Sequence, residues 1–195
     1  MVRSFCGAVD LEIHADAKYA IVNNHLIWHG EGWKTSQFHA VEFDSILKTM
    51  RYSNWEVFDK SKAAEIKPNL VHFETPINFQ PKTGNILTVR DIIRDQVGML
   101  ILESKNIVLQ DVGMHYMHGL GIVSQFTENI TMRRVACVPR EETKRIIASS
   151  ADFMHFSGCK GQITIEDCKF SGAHDDPINT HGTNLQIVKK LKTIS

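Results

Sequence analysis

The feature that most constrains this chain is a short alternating pattern that returns at nearly fixed intervals. Polar and apolar residues alternate in residues 106–112 (Asn-Ile-Val-Leu-Gln-Asp-Val), 129–135 (Asn-Ile-Thr-Met-Arg-Arg-Val), 162–168 (Gln-Ile-Thr-Ile-Glu-Asp-Cys) and 184–188 (Asn-Leu-Gln-Ile-Val). The first apolar positions, Ile107, Ile130, Ile163 and Leu185, are 23, 33 and 22 residues apart. Period-two strands recurring at such an interval are what the stacked turns of a parallel β-solenoid require. One turn cannot bury its apolar side alone, so stacking on the next completes the core. A strand–helix–strand unit fits poorly, because the intervals leave too little chain for a helix and two loops. The surplus in the middle interval coincides with residues 139–145 (Pro-Arg-Glu-Glu-Thr-Lys-Arg), which read as a loop bulging from one turn. Asn106, Asn129 and Asn184 share one phase, just before a strand, which predicts an asparagine ladder bonding backbone groups above and below. Residues 85–91 and 98–102 are expected to form an earlier coil. The expected fold is all-β: parallel β-helix coils over 84–195, with a less regular β-rich region over 1–83.

In that first region, residues 11–14 and 19–22 alternate, and Asn23-Asn24 and Gly30-Glu31-Gly32 supply turns. Residues 43–54 read as a short helix or an edge strand. Pro68, Pro76 and Pro81 interrupt the remainder of the region repeatedly. Trp28, Trp33 and Trp55 could line a sugar-binding surface, although packing is the commoner role of such residues.

Charge and composition exclude several function classes. Lys plus Arg and Asp plus Glu both number 22, so no positive excess marks a nucleic-acid or anionic-membrane surface. The basic stretch at Lys189, Lys190 and Lys192 reads as a solvated terminus. Cys6, Cys137, Cys159 and Cys168 show neither a zinc-ligand spacing nor the density of a disulfide scaffold. Cys159 and Cys168 could approach across a turn, but small buried hydrophobes are the better expectation. No segment approaches the roughly 18 apolar residues of a membrane span, and residues 1–6 lack the apolar run of a signal peptide.

Two polar segments stand out, residues 150–158 and 170–182. Asp152 and Asp175 are 23 residues apart, the undisturbed coil spacing. Equivalent residues on adjacent coils lie about 4.8 Å apart in the backbone. The interval therefore predicts that Asp152, Asp175 and Asp176 share one polar site. One coil further back, allowing for the loop, the same count reaches Gly119, which would leave room for a ligand. Crowded carboxylates repel when ionised, so such a cluster normally has a compensating cation, a proton or a catalytic use. Asp175 and Asp176 could instead merely cap a turn. Calcium would suit carboxylates, but no DxDxDG-type loop is present, and the histidines lack zinc-ligand spacing, so no metal is expected. Glycoside hydrolysis uses this chemistry directly. One carboxylic acid protonates the leaving oxygen while a carboxylate activates water, with acid and base about 6.5–9.5 Å apart in inverting enzymes.

At residues 151–159 (Ala-Asp-Phe-Met-His-Phe-Ser-Gly-Cys) and 168–183 (Cys-Lys-Phe-Ser-Gly-Ala-His-Asp-Asp-Pro-Ile-Asn-Thr-His-Gly-Thr) the chain resembles the inverting α-1,3-galactosidases of glycoside hydrolase family 110. These enzymes remove terminal α-galactose from structures such as the blood-group B antigen. The similarity runs from about residue 84 and is less recognisable before it. The resemblance implies a right-handed β-helix, direct attack by water, no cofactor, and a terminal α-galactosyl oligosaccharide or glycoconjugate as substrate. It implies Asp175 as general acid and Asp152 with Asp176 as the pair activating water. His155, His174, Asn179 and His181 are the candidate sugar contacts. Secretion or a bacterial periplasm is also implied.

Two features depart from the family pattern. Pro177 follows the aspartate pair where alanine is expected, restricting Asp176 to extended backbone. Family members are also much longer, so the chain reads as a fragment whose uncapped last coil could pair with another copy. A non-catalytic carbohydrate-binding β-helix is the main alternative function. A lyase or polygalacturonase-like reaction is the other; the lyase form lacks a Lys or Arg cluster beside the aspartates.

Overall fold

The computed structural model describes residues 1–36, 39–52, 56–90, 94–184 and 186. The chain divides into two compact units, Met1–Ile93 and Arg94–Ser195.

The first unit is built from antiparallel sheets. Val2–Phe5, Ala8–Glu12, Leu70–Glu74 and Ala63–Lys67 form one, in that order, and Tyr19–Val22, His25–Gly30 and Trp33–Thr35 a second. The third orders Ile86–Arg90, His39–Asp44 and Thr49–Tyr52. Val2, Val9, Leu11, Val71 and Phe73 bury the inward side, joined by Phe58 from the single-turn helix Val57–Lys60. Trp28 packs on this core in a T-shaped contact with Tyr19, so packing accounts for it. Trp33 is exposed, and Trp55 lies outside the described residues.

Residues 85–90 do not join the earlier coil expected of 85–91: Ile86–Arg90 pairs antiparallel with His39–Asp44. The buried carboxylate of Glu42 explains the choice. It accepts from the Asn85 amide at 2.7 Å and from Arg51 at 2.6 Å, tying the start of that strand into the first unit. Side chains alternate between faces in parallel and antiparallel strands alike, so alternation alone could not name the partner.

The second unit is the solenoid. Three parallel sheets run along it. The longest orders Val97–Leu102, Leu120–Gln125, Met154–Ser157 and Ile178–His181. The second orders Lys105–Gln110, Glu128–Arg133 and Lys160–Glu166, and the third Gly113–Met114, Ala136–Cys137 and Lys169–Phe170. Ile107, Ile130 and Ile163 share one register column, as the repeat requires. The inward columns close on Ile122, Ile130, Met132, Met154 and Phe156, each nearly inaccessible to solvent. Each such burial stabilises by about 1.5–3 kcal/mol before chain entropy is charged against it.

Corners recur in the same phase. Glu103 and Phe126 precede Gly158, Asn106 and Asn129 precede Gly161, and Asp111 and Arg134 precede Asp167, all with positive φ. The asparagine ladder is present between the first two coils, where Asn129 Nδ2 donates to Asn106 Oδ1 at 3.0 Å. On the next coil Gly161 takes the corner, because a Cβ there would sit 2.3 Å from Asn129 Oδ1. That oxygen instead accepts the Gln162 N–H at 3.0 Å. The segment beginning at Asn184 falls largely outside the described residues.

A single bulge resets the register of the last turn. Lys160–Glu166 slips against Glu128–Arg133 between Glu128 and Ile130. The loop carrying the 3₁₀ turn Glu141–Thr143 therefore does not account for the whole surplus in the middle interval. Met117 and Ser149 pair 32 residues apart, Ile130 and Ile163 pair 33 apart, and Ser149 and Ala173 pair 24 apart rather than 23.

Candidate active site

That extra residue decides which aspartates face each other. Phe153 N–H donates to Asp176 O at 3.0 Å, and Gly121 N–H donates to Asp152 O at 2.8 Å. Asp152 is therefore flanked in the ladder by Asp176 and Leu120. The count from sequence pairs it with Asp175 and Gly119, and is one residue off in both directions. Asp175 remains adjacent, and the trio converges: one oxygen from each of Asp152, Asp175 and Asp176 lies within 4.8 Å of the others.

The three carboxylates have different surroundings. Asp152 is 4% exposed. Its Oδ2 meets His155 Nδ1 at 2.8 Å and accepts from Asn179 Nδ2 at 3.2 Å. His155 and Asn179 are ladder neighbours, stacked on successive coils, which is why both reach one oxygen. The buried Ser149 hydroxyl shares its one hydrogen between Gly119 O at 3.1 Å and Asp152 O at 3.3 Å, fixing the turn that carries the aspartate. Asp175 and Asp176 are exposed. Arg94 Nη2 donates to Asp175 Oδ2 at 3.3 Å. Met154 N–H donates to the Pro177 carbonyl at 3.2 Å, so the ladder continues through the proline.

The histidines separate into two groups. His181 Nε2 lies 2.9 Å from His155 Nε2, with ring centroids 4.8 Å apart, and His181 Nδ1 lies 2.9 Å from Gly182 O. His174, expected among the sugar contacts, is 2% exposed. Its ring is turned from solvent and is not presented to a ligand in this structure. Arg94 and Ser149 went unrecognised in the sequence. Ser149 had a faint signal, since it stands three residues before Asp152. Arg94 had none, being 81 residues from its partner. An exposed acidic cluster does not by itself define a metal site, and here donors already approach Asp152 and Asp175.

Comparison with known proteins adds sequence relationships to this geometry. Residues 3–87 match the family model described as GLAA-B beta-barrel domain I. An α-1,3-galactosidase A of Bacteroides fragilis is 55% identical over 186 residues, covering 95% of this chain and 31% of that protein. The α-1,3-galactosidases A and B of Bacteroides thetaiotaomicron are 35% and 36% identical, each over 93% of this chain and 32% and 31% of theirs. The chain spans about a third of the length of these curated relatives. Over nearly its whole length, this chain is a homologue of the bacterial α-1,3-galactosidases A and B.

Proposed function

We propose that this chain carries the catalytic centre of a glycoside hydrolase that removes terminal non-reducing α-1,3-linked galactose with inversion. The observation that carries the reading is the convergence of Asp152, Asp175 and Asp176 on one face of adjacent coils. Asp152 suits water activation. His155 and Asn179 occupy its Oδ2, which fixes the carboxylate plane and leaves Oδ1 for a water. Asp176, opposite it in the ladder, supplies a second acceptor for the same water. Asp175 is the acid in this scheme: it protonates the departing glycosidic oxygen as water adds to the anomeric carbon from the other side. The nearest oxygens lie closer than the roughly 6.5–9.5 Å usual for an inverting acid and base. Rotation of the exposed Asp175 side chain, freed from Arg94 as the sugar enters, opens that distance. His181 is the proposed sugar contact at the rim.

The Arg94–Asp175 pair favours one other reading, a carbohydrate-binding coil without turnover, because Arg94 occupies a carboxylate oxygen that the acid role would need. Hydrolysis of a terminal α-1,3-galactosyl disaccharide, followed by anomeric NMR, separates the two. Inversion delivers β-galactose first. Initial α-galactose rejects the mechanism, and binding without turnover establishes the second reading. Asp152→Asn and Asp175→Asn should each lower kcat by about 10²–10⁴-fold with smaller effects on binding.

A further inference from the structure

The contacts of Asp152, His155, His181 and Gly182 form one continuous chain of hydrogen-bonding atoms. At one end is the Asp152 carboxylate Oδ2, 2.8 Å from His155 Nδ1. At the other is the Gly182 carbonyl, 2.9 Å from His181 Nδ1. The two Nε2 atoms meet in the middle at 2.9 Å. A carbonyl oxygen only accepts, so His181 Nδ1 must carry a hydrogen. An ionised Asp152 likewise requires a hydrogen on His155 Nδ1. Two neutral rings would then oppose bare Nε2 lone pairs across the central contact, which is repulsive. That contact needs a third hydrogen. If Asp152 itself is protonated and donates to His155 Nδ1, the rings can be neutral, but the total is again three.

We infer that Asp152, His155 and His181 together hold three protons, one more than an ionised carboxylate and two neutral imidazoles would hold. Resting on the functional reading above, this makes His181 a positioning residue for the reaction. The extra proton joins His181 to His155, and His155 in turn holds Asp152 Oδ2. It also places one positive charge, or one neutralised acid, among the three carboxylates, where repulsion is otherwise largest. The charged groups of the cluster are Asp152, Asp175, Asp176 and, through Asp175, Arg94. The outward residues of the preceding strand, Val123 and Gln125, are uncharged, as is Asn179 beside His155. Losing the proton breaks the central contact and leaves the His155 ring held only at its Asp152 end.

Nitrogen NMR of the histidine-labelled chain, with carbon NMR of the Asp152 carboxyl, counts these protons without any turnover. His155→Gln and His181→Gln variants assign the rings. The expected result at neutral pH is three protonated ring nitrogens of the four beside an ionised Asp152, or two beside a protonated one. Two protonated nitrogens beside an ionised Asp152 would overturn the inference. His181→Gln keeps a donor toward His155 but cannot carry the charge. At saturating substrate, where a lost sugar contact no longer counts, its kcat should fall about 10-fold or more, and kcat should decline with rising pH in the parent but not in this variant. An unchanged pH profile would also count against it. Three protons in a chain that never hydrolyses the disaccharide would sink the functional reading while leaving the proton count standing.

Discussion

Replacing Gly121 with alanine should loosen the solenoid directly beneath the aspartates. A Cβ on Gly121 would sit 2.3 Å from the Phe153 carbonyl oxygen and 3.0 Å from Phe153 Cα. These are backbone atoms, which cannot swing aside as the end of a side chain can. Restoring ordinary contact requires the two coils to part locally by about 1 Å. Overpacking of this kind costs about 1–3 kcal/mol. The Gly121 N–H to Asp152 O bond, now 2.8 Å, stretches in the same movement and adds about 1 kcal/mol. A total of about 2–4 kcal/mol raises the open population roughly 30- to 1,000-fold. Amide hydrogen exchange over residues 121–125 reads that factor as lost protection. Tryptophan fluorescence should not move, because no tryptophan occurs in the sequence from residue 94 onward. Gly182→Ala, whose Cβ would meet nothing within 4 Å, is the control. Protection in Gly121→Ala within about threefold of the parent would refute the close-approach argument, since no backbone movement would then have been needed.

Two further predictions concern the outer corners and the interior. Arg134 donates to both carboxylate oxygens of Asp111 at 2.6 and 2.7 Å and holds its carboxyl below the usual carboxylate range. Lys105 and Lys160 lower Glu128 in the same way. A depressed folded-state value contributes stability above the unfolded value of about 4 and loses it as pH falls through the folded one. Asp111→Asn should therefore melt below the parent at pH 7, and the gap should close in strong acid; a gap that persisted at pH 2 would contradict the pairing. Burial pushes the Cys137 thiol up to about 12, whereas Cys6 is exposed. Alkylation at pH 8 should label Cys6 well before Cys137, and equal rates would show that the interior is open.

How much of this was legible in the sequence depends on which physical signal each feature leaves. The column of Ile107, Ile130 and Ile163 was readable, because inward residues must be apolar and must recur. The bulge near Gly161 was not, since one extra residue in a strand changes no residue class. It shifted the aspartate register from 23 to 24 and exchanged Asp175 for Asp176 as the ladder partner of Asp152. Residues 86–90 alternate as a coil strand would, yet the buried Glu42 and its bond to Asn85 take them into the first unit. The sequence offers His155 and Asn179 as sugar contacts, but their shared hold on Asp152 Oδ2 depends on that corrected register. The His155–His181 contact is diagonal across two coils and corresponds to no repeat spacing.

Cysteine cross-linking tests the aspartate geometry most directly. Ladder neighbours lie about 4.8 Å apart, inside the roughly 4.4–6.8 Å Cα window a disulfide tolerates. Two variants should be compared after mild oxidation and non-reducing peptide mapping: Asp152→Cys with Asp176→Cys, and Asp152→Cys with Asp175→Cys. The first should close its bond readily and the second more slowly. Preferential closure of the second, or closure of neither, would mean that Asp152 and Asp176 do not stack on neighbouring turns.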